Sequence, residues 1–276
     1  MLTIGLPVYN GARYISQTIK SIISQSFTDF NLLITDNAST DMTKAICEEY
    51  VRMDSRIRYH RHKINMGVSK NWNYIARQAN SKYFKWASAN DLIHDTMLEK
   101  CVAILEERED VVLCYPKTTL INEEGMELTK FEDNLDIMHD DPVIRFIELF
   151  KRLKLNNAQN GIIRTSVLKK TKLEGLFIGG DIPFMAELIL HGKFYEYPEY
   201  LFSRRLSADA STLSQDIETL SKIYSPSKTL GSYQRSRFYL DLLHRVQRTK
   251  IILKSKLSLY KHIIKLIYWE RLNNFA

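Results

Sequence analysis

Four short polar stretches carry side chains able to do chemistry: Pro7-Val8-Tyr9-Asn10, Asp36 to Asp41, Asn90-Asp91, and Asp181 behind Gly179-Gly180. The third is the most abrupt. An apolar run, Tyr83-Phe84-Lys85-Trp86-Ala87, stops at Ser88-Ala89-Asn90-Asp91. An amide beside a carboxylate suits a turn before the next helix, and it also suits a hard divalent cation that takes oxygen ligands. Asp36 can accept a hydrogen bond from a base or a ribose, while Asp, Asn, Ser and Thr are equally good helix caps. Asp181 can cap a helix or act as a general base toward an acceptor hydroxyl. Ser203-Arg204-Arg205 offers guanidinium groups that bind phosphate or solvate an edge.

The elements that would position these residues alternate. Leu2–Leu6, Asn31–Thr35, Arg56–Arg61, Tyr83–Ala87 and Val111–Tyr115 read as strands. Between them, 12–26, 42–53, 69–79 and 96–108 read as helices, the first with Ile15, Ile19, Ile22 and Ile23 on one face. That alternation predicts an α/β fold with a mostly parallel sheet flanked by helices. In open sheets of this kind ligands bind where the strands end, and Pro7–Asn10, Asp36–Asp41 and Asn90-Asp91 all follow strands. The stretch 117–141 predicts a hairpin about Glu123-Glu124-Gly125 and then a long loop. A helix over 142–154, a short strand at 161–164, a helix over 182–191 and two short strands at 194–197 and 201–204 follow.

Composition excludes several classes. At 45% hydrophobic and 26% charged the 276 residues are those of a globular protein. Cys47, Cys101 and Cys114 are far apart and form no zinc-type pair, which predicts a reducing compartment. The N-terminal MLTIGLPVYNG does not predict a signal peptide, and no apolar window predicts a membrane span. No GxGxxG and no GxxxxGK[ST] follows the first strand, so PVYNG would have to meet a nucleotide without a glycine-rich turn, if it is more than a turn itself.

In order and spacing, Pro7-Val8-Tyr9-Asn10, Asp36 to Asp41, Asn65-Met66-Gly67 and Asn90-Asp91 resemble the family 2 glycosyltransferases with the GT-A fold. The later stretch from Asn160-Gly161 through Gly180-Asp181 to Arg204-Arg205 is similar to the acceptor half of bacterial surface-glycan members. The resemblance covers residues 1–212. It implies a nucleotide-sugar-binding half at 1–115 and an acceptor-binding half with the catalytic base at 116–212. It implies that Pro7, Val8, Tyr9, Asn10, Asp36 and Asn65 hold the nucleoside, and that Lys70, Asn90, Arg204 and Arg205 meet the diphosphate. It further implies that Asp91 binds Mn²⁺ or Mg²⁺ and that Asp181 is the catalytic base. The reaction implied is inverting transfer of a sugar from a UDP or dTDP donor to a glycan or lipid-linked acceptor. The alternative is a weak or inactive sugar-nucleotide-binding relative, because Asn90 stands where an aspartate is usual and Ser207 where histidine is frequent. Lys70 replaces a common arginine, keeping the charge and losing the fork.

Residues 213–276 predict a basic helical tail. Residues 231–276 hold 10 Lys and Arg against Asp241 and Glu270, while the first 230 residues hold 29 against 30. Leu242, Val246, Ile263 and Ile267 recur at near-helical spacing among these cations, with Tyr268 and Trp269 at one end. Such a stripe lies on an anionic membrane, packs back on the body, or joins a second copy in a homo-oligomer. The cations alternate with large aliphatics, unlike a nucleic-acid module, so no nucleic-acid partner is expected. The expected location is cytoplasmic, at the inner face of the cytoplasmic membrane if the tail binds lipid.

Overall fold

The computed structural model describes residues 1–207, 220, 223, 224, 226 and 233–273, without the side chains of 269–273. The first half alternates as expected: β1 (Leu2–Val8), α1 (Ile15–Ile23), β2 (Phe30–Asp36), α2 (Thr43–Met53), β3 (Ile57–Arg61), α3 (Val68–Arg77), β4 (Tyr83–Trp86). β1 is buried along its whole length, so it reads as an unbroken apolar run rather than an alternation. α1 buries Ile15, Ile19 and Ile22, the stripe its 3.6-residue period places on one side. There follow β5 (Leu92–Ile93), α4 (Met97–Glu107), β6 (Val111–Ile121), β7 (Glu127–Phe131), α5 (Pro142–Arg152) and a 3₁₀ turn (Asn157–Asn160). The remainder is β8 (Ile162–Arg164), α6 (Thr165–Leu168), α7 (Asp181–His191), β9 (Lys193–Arg205), α8 (Gln234–Arg248) and α9 (Leu253–Asn273).

The strands form one sheet of order β3-β2-β1-β4-β8-β6-β9-β5, with β7 on β6. β3, β2, β1 and β4 are parallel. β8 inserts antiparallel between β4 and β6, which makes the sheet mixed. Two apolar clusters cover its faces: one around Phe84, Trp86, Phe184 and Leu188, the other around Ile4, Ile19, Leu98 and Cys114.

Three expectations change. The strand ending at Tyr115 continues to Ile121, paired with β9 throughout, so the 115/116 division falls inside a strand. Pro116 has no N–H to give, and the ladder passes it by shifting register on either side of Lys117. The two short strands at 194–197 and 201–204 are likewise one strand, β9. The described part of the tail includes α8 and α9 and packs back on the body. Leu242, Val246, Leu259 and Ile263 are at most 1% exposed within the Phe84–Phe184 cluster. The side chain of Trp269 and residues 208–219, 221, 222, 225, 227–232 and 274–276 lie outside what is described. No helix among the described residues is long and apolar enough to cross a membrane.

Candidate active site

Parallel pairing brings the ends of β1 and β2 side by side, Val8 against Asp36. The two following turns are then stapled together. Asn10, in the left-handed region at φ 49°, takes a bond from the Thr40 N–H at 2.8 Å and donates its own N–H to Ser39 Oγ at 2.9 Å. Gly11 N–H donates to Thr43 Oγ1 and Ala12 N–H to Asp41 Oδ2. A third turn joins through amides: Asn37 Nδ2 donates to Asn65 Oδ1 at 2.7 Å, and Met66 N–H donates to Asn37 Oδ1. Pro7 and Val8 lie buried in β1, and Tyr9 emerges 49% exposed at its end. Lys70 is exposed on the first turn of α3.

Asp36 sits beneath this edge and is fully buried. Its Oδ1 accepts from the Ser39 N–H at 2.7 Å, its Oδ2 from the Tyr59 hydroxyl at 2.5 Å, and Arg61 stands 3.5 Å away. Both oxygens are therefore engaged by protein, because the carboxylate must be satisfied where water does not reach. In this arrangement Asp36 shapes the turn that carries Asn37 to Thr40.

Asn90-Asp91 lies next to the same edge. The Ala87 N–H donates to Gly5 O in β1, and Ala89 is the neighbour of Gly11. Asp91 turns inward: its Oδ1 accepts from the Arg205 N–H at 2.9 Å, and its carbonyl accepts from the Thr18 hydroxyl. Burial pushes its carboxyl up to about 6, against the pull of the Arg205 N–H and of Arg204, Ser88 and Lys85. Lys85 is itself fully buried, donates to Asn160 O, and is brought down to about 8 by burial. Arg205 is 1% exposed. It donates to the carbonyls of Asn90, Asn122 and Glu123 and to Gln17 Oε1, and its guanidinium lies over the Tyr14 ring. A guanidinium spent in this way props the Asn90-Asp91 turn.

Asp181 opens α7 as its first residue, after Gly180 at the cap. Its Oδ2 accepts from Asn156 Nδ2 at 2.7 Å, and the side chain is part-exposed. The turn Asn156–Asn160 links it to the other carboxylate. Ser88 Oγ donates to Asn160 Oδ1 at 3.1 Å, and Arg204 Nη1 donates to Leu155 O and Asn157 Oδ1. Sequence reasoning missed this turn; its signal is three asparagines and a glutamine within five residues, buried between apolar neighbours.

An oxygen donor set of one carboxylate and one amide fits a hard cation that brings its other ligands from phosphate and water. The fit is lean. Asp91 already spends Oδ1 on Arg205, Asn90 adds no charge, and Lys85 lies below. Among the described residues no group of three or more His, Cys, Asp or Glu gathers here.

Residues 3–172 match the family described as Glycosyl transferase family 2. The chain belongs to that family. It is 24% identical over 265 residues to an uncharacterized glycosyltransferase of Haemophilus influenzae, covering 90% of this chain and 81% of the relative. Among solved structures it is similar to S. aureus TarS 1–349 in complex with UDP, at TM-score 0.61 and 17% identity, covering 90% of this chain and 81% of that one. It is also similar to the mannosyltransferase PcManGT from Pyrobaculum calidifontis in complex with GDP-Man and Mn²⁺, at TM-score 0.56 and 12% identity, covering 97% and 80%. These likenesses establish the GT-A fold. In this family 2 glycosyltransferase a lattice of Asn10, Asn37 and Asn65 thus stands over a buried Asp36, and Asp181 reaches the Asn90-Asp91 turn through Asn156–Asn160.

Proposed function

We propose that this glycosyltransferase moves a sugar, with inversion, from a nucleoside-diphosphate donor to a hydroxyl of a glycan or lipid-linked acceptor in bacterial surface-polysaccharide synthesis. The observation that carries the reading is a part-exposed carboxylate, Asp181, standing at the head of α7 with one oxygen held by Asn156. The helix N-terminus favours its negative charge. In the step, the acceptor oxygen forms a bond to the anomeric carbon while the carbon–oxygen bond to the diphosphate breaks. The electron pair leaves with the nucleoside diphosphate, and the acceptor proton passes to Asp181. One displacement of this kind inverts the centre. The solved TarS and PcManGT complexes hold UDP and GDP-Man respectively. A UDP or dTDP donor is the reading carried here, with Tyr9 against the base and Asn10, Asn37 and Asn65 along the ribose edge. Lys70 and Arg204 supply positive charge toward the diphosphate. Asp91 with Asn90 would hold Mn²⁺ or Mg²⁺, which would neutralise the leaving diphosphate.

The test is a donor screen that measures released nucleoside diphosphate with and without Mn²⁺. Turnover of at least one nucleotide sugar is expected; no turnover with any donor, acceptor extracts included, would favour a binding relative instead. The same assay weighs the lean cation site. Asn90→Asp restores a second charge and should lower the Mn²⁺ concentration for half-maximal rate about tenfold, equivalent to about 1.4 kcal/mol.

Membrane contact, if it occurs, falls to the outer face of α8 and α9, where Leu240, Ile252, Leu253, Leu257, Ile264 and Tyr268 are 53–70% exposed. Lys254, Lys256, Lys261 and Lys265 stand among them. Replacing Ile252, Leu253 and Leu257 together by Ser should reduce sedimentation with anionic vesicles severalfold and leave neutral vesicles unaffected. Equal sedimentation of both proteins removes lipid as the partner of this face.

A further inference from the structure

Behind Asp181 lies a second, buried carboxylate that the transfer step does not use. Asn156 Nδ2 donates to Asp181 Oδ2 at 2.7 Å and to Gln159 Oε1 at 3.1 Å. Gln159 Nε2 in turn donates to Glu174 Oε1. Glu174 is clamped at its backbone by Asn73 of α3, which gives one bond to its carbonyl at 2.8 Å and takes one from its N–H at 2.9 Å. From the sheet edge to the helix head the order is Glu174, Gln159, Asn156, Asp181.

We propose that Asn156, Gln159 and Glu174 are positioning residues that fix the orientation of Asp181, leaving its Oδ1 as the atom that takes the acceptor proton. The proposal rests on the reading of Asp181 as the base. Its logic is directional. A carboxylate acting as a base can only accept, so Asn156 must present its amide nitrogen. Facing that nitrogen, Gln159 must present oxygen, and its own nitrogen is thereby turned to Glu174. Each amide has one orientation that satisfies both neighbours, so the chain cannot flip link by link.

Two further features mark Asn156 as held in place for this task. Its backbone lies in the left-handed region, φ 53°, which costs a non-glycine residue energy. Its Oδ1 is buried without a partner, a cost incurred because both neighbours demand the nitrogen. Strain and an unsatisfied oxygen at one residue, beside a catalytic carboxylate, are what a positioning role would produce. Glu174 suits the far end because burial, and then the Asp181 charge, raise its carboxyl to about 8. It therefore accepts from Gln159 while keeping its proton, and the chain holds one negative charge. The other ionisable groups facing this pair are Tyr224, itself raised by burial and by the two carboxylates, and the more distant Arg245.

The test compares Asn156→Ala, Glu174→Leu and Glu174→Gln in the full chain, by pH–rate profiles at saturating donor and by circular dichroism for the folded fraction. Asn156→Ala and Glu174→Leu should lower kcat at least tenfold, leave the donor KM within twofold, and move the acidic limb of the profile to higher pH. Glu174→Gln keeps an oxygen for Gln159 and should restore kcat to within threefold of the parent. An acidic limb that stays in place in both disrupting variants, with kcat falling only as the folded fraction falls, overturns the proposal. If Asn156→Ala does not fold, the Glu174 pair decides alone, since rescue by Gln and not by Leu is the expected signature. Asp181→Asn separates the two levels: normal turnover there removes the base itself. An inactive Asp181→Asn beside parent-like relay variants removes only the relay.

Discussion

Asp181→Asn should abolish transfer, lowering kcat by about 10²–10⁴-fold, the usual contribution of a positioned general base. The change is nearly isosteric, and the structure gives a reason for its severity beyond loss of charge. Asn156 offers a nitrogen to position 181, so the new amide would turn its oxygen toward Asn156. Its own nitrogen would then face the acceptor, a donor where a proton acceptor is required. Donor affinity should change less than twofold, because the edge proposed for the nucleoside is built from the turns after β1, β2 and β3, on other elements. Thermal stability should also change little. Removing a carboxylate from the head of α7 forfeits about 0.3–1 kcal/mol of interaction with the helix dipole. Isothermal titration with UDP and a melting curve, run beside the transfer assay, check all three parts. Normal turnover would remove Asp181 from the reaction.

The fold was largely legible because its first half obeys a period. Fully buried strands such as β1 read as apolar runs and α1 as a stripe at Ile15, Ile19 and Ile22, so sheet and helix separate by pattern alone. What escaped was pairing that local pattern does not encode. β8 is three residues long and antiparallel between two longer strands, and nothing in Ile162–Arg164 states its direction. β6 looked finished at Tyr115 because Pro116 is a strand breaker, yet a register shift carries the ladder past it.

The site was legible as a set of positions and less so as a set of roles. Residue type names a chemistry, while burial decides whether the group is free to perform it. Asp36 and Arg205 have the right types, but the fold closes over both, and each became a support for a turn. Asp181 had two readings in sequence, cap or base, and only coordinates place Gly180 at the cap and Asp181 one position inside the helix. Asn156 and Gln159 are amides with no charge to draw notice. Their importance lies in which atom of each faces which neighbour, and that is invisible before folding.

The tail illustrates the same limit, and it yields the largest expected effect on stability. Arg245 looked like one of the cations that make the tail basic; in the folded chain it is 1% exposed. Its Nη1 meets Glu187 Oε2 at 2.6 Å, its Nε meets Asp241 Oδ2 at 2.6 Å, and its Nη2 donates to Leu173 O at 2.7 Å. Glu187 is equally buried in the middle of α7, so Arg245→Ala would leave its carboxylate in the interior with the half-exposed Arg248 as its nearest charge and the Lys172 N–H as its remaining hydrogen bond. Breaking one side of such a pair costs about 3–5 kcal/mol, a large share of a typical folding free energy. Arg245→Met, which keeps the volume, should cost as much, whereas Arg245→Met with Glu187→Gln should recover part of the loss because no charge is left unpaired. Urea denaturation of the three variants checks this order. The same bond also reaches the site: α7 begins at Asp181, and the Leu173 carbonyl that Arg245 holds precedes Glu174. Arg245→Ala should therefore lower transfer more than the folded fraction predicts. Parent-like activity per folded molecule would show that the tail steadies the fold without reaching the base.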